Sequence, residues 1–192
     1  MDIHFYHAPG SRSDRVKMLL RLLAFDYRET LVDTRKGEHK TAAYAKVNPL
    51  RVVPGMTVNG RPLVESIAQM LFLADLDPGM RFAPAHGAPA RARYLQWMVM
   101  IPASAEPMVA GVLRDPADPQ AIALADQSIA LQTMFLEGPF CLGDRLSALD
   151  MVVHWNMRHM DGLGVLERHP AWRGYVARLD DELDWAGLEQ RD

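Results

Sequence analysis

Apolar and polar positions change period several times along the first third of the chain. His4-Phe5-Tyr6 has the composition of a short strand, and the turn residues His7-Ala8-Pro9-Gly10 follow it. Val16, Leu19, Leu20 and Leu23 then recur at i, i+3, i+4 and i+7, the spacing of one helix face. Tyr27 to Val32 predicts a second strand, and Asp33 to Gly37 a polar connection. A further helix is expected over His39 to Val47, stopped at Asn48-Pro49 because the residue before a proline avoids helical geometry. Gly55 to Val58 and Arg61 to Val64 predict two strands joined by Asn59-Gly60, a strong two-residue hairpin signal. Ile67, Met70, Leu71 and Ala74 form another helical stripe. The order is β-α-β-α-β-β-α.

Beyond Asp77-Pro78-Gly79 the period is helical throughout. Stripes run through Tyr94, Trp97, Met98 and Ile101, and through Leu149, Val152, Val153, Asn156, Met157 and Met160. A last one takes Trp172, Tyr175, Val176, Leu179 and Leu183. Between them, a break at Asp115 to Pro119 precedes a helix to about Leu136, and Pro102 and Pro107 are expected to kink the helix that carries them. The expectation is a thioredoxin-like α/β domain over residues 1–77, a linker over 78–87 and an all-α domain over 88–192.

Composition narrows the function classes. The 192 residues are 49% hydrophobic and 23% charged, enough apolar content for a sizeable core. A net charge of −3 with both signs interspersed leaves no footprint for nucleic acid. No apolar run reaches the ~20 residues of a membrane span. Met1-Asp2-Ile3-His4 lacks the basic and apolar regions of a secretion signal, and Cys141 is a single cysteine, so a cytoplasmic location is expected. The histidines form no H-E-x-x-H pattern, and His154 and His159 have no carboxylate at metal spacing, so no metal is expected.

Four local features carry chemistry. Ser11 lies in the turn entering the first helix, where free N–H groups favour an anion and a hydroxyl can donate to a thiolate, lowering the thiol's pKa. Ser11 is equally suited to capping that helix. Val53-Pro54 precedes a strand and is a candidate cis bond that would leave peptide groups open to an extended ligand. Glu65-Ser66 opens a helix and offers a carboxylate for an ammonium and a hydroxyl for a carboxylate, or a simple cap. Lys36-Gly37-Glu38-His39-Lys40 could hold a second carboxylate, or be a solvated charge run.

In this order the segments Tyr6…Ser11…Arg15-Val16, Lys36 to Lys40, Asn48-Pro49-Leu50-Arg51-Val52-Val53-Pro54 and Glu65-Ser66-Ile67-Ala68 resemble the glutathione transferases, especially their serine-type theta and phi classes. In the second half, Gly143-Asp144-Arg145-Leu146-Ser147-Ala148-Leu149-Asp150 resembles that family's helix-capping box. The resemblance implies that Ser11 activates the thiol of glutathione, a co-substrate rather than a bound cofactor. It implies that Val53 pairs with the cysteinyl unit beside a cis Pro54. Glu65 and Ser66 would hold the γ-glutamyl end, and His39 and Lys40 the glycyl carboxylate. Ser13, Arg12 and Tyr6 are the alternates to Ser11.

The resemblance further implies a homodimer that detoxifies hydrophobic electrophiles. Their pocket would be walled by Pro9, Gly10, Trp97, Met98, Ile101, Met108 and Met157. Theta-class relatives often carry further C-terminal structure over that pocket, so a more open one is expected here. Two departures matter: Val52 stands where relatives usually place Lys or Gln, and Arg51 where Gly is common. Val52 fits the alternative of a catalytically silent binding or regulatory protein. A glutathione-dependent isomerase is a third reading, although Gly10-Ser11-Arg12 lacks that group's Ser-Ser-Cys run.

Overall fold

The computed structural model describes residues 1–189, and the end of the expected helical domain, residues 190–192, lies outside the described residues. The chain divides into two compact units, Met1–Pro78 with the segment from Asp184 on, and Gly79–Leu183.

In the first unit, β1 (Ile3–His7), β2 (Arg28–Leu31), β3 (Gly55–Val58) and β4 (Arg61–Pro62) form one sheet in the order β2-β1-β3-β4. β1 pairs parallel with β2 and antiparallel with β3, and β3 pairs antiparallel with β4. This is the thioredoxin-like arrangement. β1 alternates strictly: Ile3, Phe5 and His7 are buried, while His4 and Tyr6 face the other side. α1 (Ser13–Leu23) places Val16, Leu19, Leu20 and Leu23 in the core, each stabilising by about 1.5–3 kcal/mol on burial. α2 (Ser66–Asp75) packs against α1 and buries Met70, Leu73 and Ala74, with Leu71 half-buried. Asn59 and Gly60 have φ of 49° and 76°, so the β3–β4 hairpin closes through a left-handed two-residue turn that glycine supplies without strain.

Three expectations for this unit are corrected. The helix over His39 to Val47 is two 3₁₀ turns, Glu38–Lys40 and Tyr44–Lys46. Thr41 separates them: its hydroxyl donates to the Glu38 carbonyl and accepts from the Tyr44 N–H, competing with a continuous helical ladder. β4 ends at Pro62 rather than Val64, with one further cross-strand bond from the Leu63 N–H to the Met56 carbonyl at 2.8 Å. Asp184 to Glu189 belong to this unit, not the helical one. α8 (Trp185–Glu189) lies against α1 with Trp185 and Leu188 buried, and Arg21 meets Asp184 at 3.3 Å.

The second unit is helical: α3 (Pro89–Met100), α4 (Glu106–Arg114), α5 (Pro119–Thr133), α6 (Ala148–Gly162) and α7 (Pro170–Glu182). A π-helical segment, Ile101–Ala105, joins α3 to α4 and contains Pro102, whose missing N–H interrupts the α-helical ladder there. α5 stops three residues before Leu136, where the Phe135 and Leu136 N–H groups tighten onto Gln132 and Thr133 carbonyls. Asp150, fully buried, organises the start of α6. One oxygen accepts the Ser147 N–H and hydroxyl, both at 2.8 Å. The other accepts the Cys141 N–H at 2.7 Å and the Tyr175 hydroxyl at 2.9 Å. Burial raises the Cys141 thiol well above its ordinary range, so this cysteine is a small core residue. No helix among the described residues is long and apolar enough to cross a membrane.

Candidate functional site

The turn from β1 into α1 is a dense polar knot. The Ser11 hydroxyl lies 2.7 Å from the Ala8 carbonyl and accepts the Ser13 N–H at 3.1 Å, so it serves the start of α1 as a turn residue does. Ser13, fully buried, lies 2.8 Å from Ser11 Oγ, 2.8 Å from the Ala8 carbonyl and 2.8 Å from His7 Nδ1, and accepts the Ala8 N–H at 3.0 Å. The Gly10 N–H donates to Asp14 at 3.0 Å and holds the outer arm of the turn. Ser11 is half-buried and Arg12 exposed. Tyr6 points to the opposite face of the sheet from His7, and its hydroxyl meets His4 Nδ1 at 3.2 Å. Among the alternates, Ser13 bonds directly to Ser11, Arg12 is its exposed chain neighbour, and Tyr6 lies on the sheet face opposite His7.

Val53-Pro54 is a cis peptide bond. The loop before it is fixed by its neighbours: the Tyr44 hydroxyl donates to the Val52 carbonyl at 3.0 Å, and the Asn48 amide donates to the Val52 and Pro54 carbonyls at 2.8 and 3.2 Å. Tyr44 and Val47 press so closely on Gly55 that a Cβ there would come within 2.8 Å of the Tyr44 hydroxyl. Amid this bonding, neither the N–H nor the C=O of Val53 meets a hydrogen-bond partner among the described residues. Those are the two groups an added extended peptide would use. Val52 turns its side chain outward, 47% exposed.

At the start of α2, Glu65 is exposed and held at φ 67°, a conformation costing a non-glycine residue about 1–3 kcal/mol. It stands one residue before buried Ser66, whose Oγ accepts from Arg15 Nη2 at 2.7 Å. Arg15 is itself fully buried on the inner face of α1. No acceptor among the described residues takes the Ser66 hydroxyl proton, which leaves a donor beside a buried cation at a helix N-terminus. Lys40 Nζ donates to the Arg51 carbonyl at 2.9 Å, and Arg51 returns a bond to the Lys40 carbonyl at 3.3 Å, so both cations sit together at the loop. His39 is half-buried, and its Nδ1 has no partner among the described residues. A hollow of about 570 Å³ opens beside Ala8 and Pro9, lined by Leu31, Val32, Asp33 and Arg35.

The expected pocket walls divide. Trp97, Met98, Ile101 and Met157 are fully buried in the helical unit, Trp97 packing edge-on to Phe135 at 5.9 Å. They are core residues, which apolar stripes at helical spacing supply first. Pro9 and Gly10 are exposed and Met108 half-buried, so these three offer surface.

Sequence reasoning passed over His7 and the partnership of Arg15 with Ser66. Each had a signal: His7 continues the period-two alternation of Ile3 and Phe5, and Arg15 stands four residues before Leu19 on the buried stripe. Burial pushes His7 down to about 4, with Lys17 adding to the shift, so the ring is neutral at neutral pH. Among the described residues no group of three or more His, Cys, Asp or Glu side chains could hold a metal ion.

The first unit has the thioredoxin-like arrangement and the second is helical. Residues 1–75 match the model for the glutathione S-transferase N-terminal domain. Glutathione S-transferase theta-1 of Mus musculus is 32% identical over 177 residues, covering 78% of this chain and 70% of the relative. A probable maleylacetoacetate isomerase 1 of Drosophila melanogaster is 28% identical, covering 78% of this chain and 65% of that protein. The crystal structure of a glutathione transferase from Methylococcus capsulatus superposes with a TM-score of 0.84 at 25% identity, covering 97% of both chains. The chain belongs to the glutathione S-transferase family.

Proposed function

We propose that this protein is a glutathione transferase that adds the glutathione thiolate to a hydrophobic electrophile. The observation that carries the reading is the set of open hydrogen-bonding groups, the Val53 N–H and C=O before Pro54 and the Ser66 hydroxyl proton at the start of α2. Glutathione has matching groups: an extended cysteinyl unit for Val53, beside Pro54, and a γ-glutamyl carboxylate for Ser66, with the ammonium toward Glu65. His39 and Lys40 take the glycyl carboxylate. Ser11 turns its hydroxyl to the sulfur, and the thiol proton leaves to solvent. The hydrogen bond and the N-terminal field of α1 favour the thiolate, and positioning supplies the remaining rate. Pro9 and Gly10 are the electrophile contacts this reading retains in the first unit.

The family relationship supports a homodimer acting in the cytoplasm as a detoxification enzyme. α3 supports pairing through Leu95 and Val99, four residues apart and 39% and 61% exposed, apolar surface that a partner would cover. The Drosophila relative favours a second reading, glutathione-dependent isomerisation, in which the same thiolate adds to a conjugated double bond and is later expelled.

Calorimetry with glutathione, together with conjugation of an aryl halide by wild type and Ser11→Ala, tests the proposal. Micromolar-to-millimolar binding, turnover, and loss of turnover in Ser11→Ala are expected. Absence of glutathione binding would leave the silent binding protein as the reading. Binding with isomerisation of a maleyl compound and no conjugation would select the isomerase.

A further inference from the structure

The Ser13 hydroxyl carries one proton and faces three groups that could take it: His7 Nδ1, the Ala8 carbonyl and Ser11 Oγ, each at 2.8 Å. The Ser11 hydroxyl lies 2.7 Å from the same Ala8 carbonyl. Two hydroxyls thus converge on one acceptor. This matters for chemistry at Ser11, because a hydroxyl already bonded to a carbonyl must leave it before it can donate to sulfur. Leaving would strip a partner from a buried carbonyl unless another donor stood ready.

Resting on the reading that Ser11 faces the glutathione sulfur, we propose that Ser13, backed by His7, is a positioning residue that releases Ser11 by taking over the Ala8 carbonyl. Two proton arrangements fit the same heavy-atom positions. In the first, His7 carries its proton on Nε2, Nδ1 accepts from Ser13, and Ser11 serves Ala8. In the second, His7 carries its proton on Nδ1 and donates to Ser13, and Ser13 donates to Ala8. Ser13 then has both lone pairs filled, by His7 and by the Ala8 N–H, and the Ser11 proton is free for the thiolate. His7 Nε2 has no hydrogen-bond partner among the described residues, and Asp14 lies beyond bonding distance at 3.8 Å, so neither tautomer is locked from that side. Hydroxyl rotations and a tautomer change accomplish the exchange, and no bond is made or broken to the ligand.

The test is the pKa of bound glutathione, read from thiolate ultraviolet absorbance during pH titration of the complexes, alongside steady-state rates. Ser13→Ala is expected to raise that pKa by roughly one unit and lower kcat by roughly tenfold, with KM for glutathione within about twofold of wild type. Ser13→Thr, which keeps the hydroxyl, should restore both. Ser11→Ala,Ser13→Ala should be no worse than Ser11→Ala, since Ser13 acts only through Ser11. A wild-type thiol pKa in Ser13→Ala, or a double variant worse by the full Ser13 factor, would overturn the inference while the function proposal stands if Ser11→Ala is impaired. A wild-type thiol pKa in Ser11→Ala would remove the underlying role of Ser11 and this inference with it. In the unmutated protein, the ¹⁵N shifts of the His7 ring should pass from the Nε2–H to the Nδ1–H pattern on saturation with glutathione. An unchanged tautomer would also overturn the exchange.

Discussion

Replacing Ser66 by alanine would expose two roles of one oxygen. Its Oγ accepts from Arg15 at 2.7 Å in a buried setting, and its proton has no acceptor among the described residues. A hydrogen bond to a charged group contributes about 1.5–3 kcal/mol, and removing one partner inside a protein leaves the other undersolvated. Ser66→Ala should therefore lower unfolding stability by about 2 kcal/mol. If the same hydroxyl donates to the γ-glutamyl carboxylate, the lost charge-assisted bond should weaken glutathione binding by about 10- to 150-fold, from the same 1.5–3 kcal/mol. Urea unfolding followed by tryptophan fluorescence measures the first effect and titration calorimetry the second. Ser66→Thr should recover most of both. A dissociation constant within about threefold of wild type, in a variant that shows the stability loss, would mean that Ser66 only anchors Arg15 and that the carboxylate binds elsewhere.

Other consequences can be measured directly. Asp150→Ala would strand two backbone N–H groups and two hydroxyls around α6, each orphan costing about 1–3 kcal/mol before relaxation, so a stability loss of about 4 kcal/mol is expected, read as a lower urea midpoint at unchanged slope. Val52→Gln places an amide on an exposed position of the Val53 loop and should tighten glutathione binding about three- to tenfold by calorimetry, with little change in stability. Acid should destabilise the fold through His7. The unfolded chain takes up this proton near 6.5 and the native state only near 4. The contribution is thus complete above pH 6.5 and falls by up to about 3 kcal/mol as the pH drops to 4. Comparing urea midpoints of wild type and His7→Asn across that range isolates the term, and parallel profiles would assign the acid loss to other groups.

Much of the architecture was legible in the chain because each buried face repeats at its own period. The stripe of Val16, Leu19, Leu20 and Leu23, the Asn59-Gly60 turn and the capping pair Ser147 and Asp150 are local patterns, and local patterns specify local geometry. The candidate site was legible in order for a similar reason: Ser11, Val53-Pro54 and Glu65-Ser66 each sit at an element boundary marked by turn or cap chemistry. Less legible were the places where two boundaries meet. The two 3₁₀ turns replacing a helix depend on how Thr41 divides its hydroxyl between Glu38 and Tyr44, a competition that periodicity does not resolve.

By itself, the order of residues determined the alternating strands, the helical stripes, the hairpin turn and which side chains stand at the helix starts, because these follow from backbone geometry within a few residues. Only the tertiary structure decided that Arg15 reaches Ser66 across 51 positions, that Trp97, Met98, Ile101 and Met157 are core, and that α8 returns to α1. It alone brought Ser11 and Ser13 onto one carbonyl, with His7 behind Ser13. Hydrogen bonds act over about 3 Å, and partners far apart along a chain come that close only when packing has fixed the path between them.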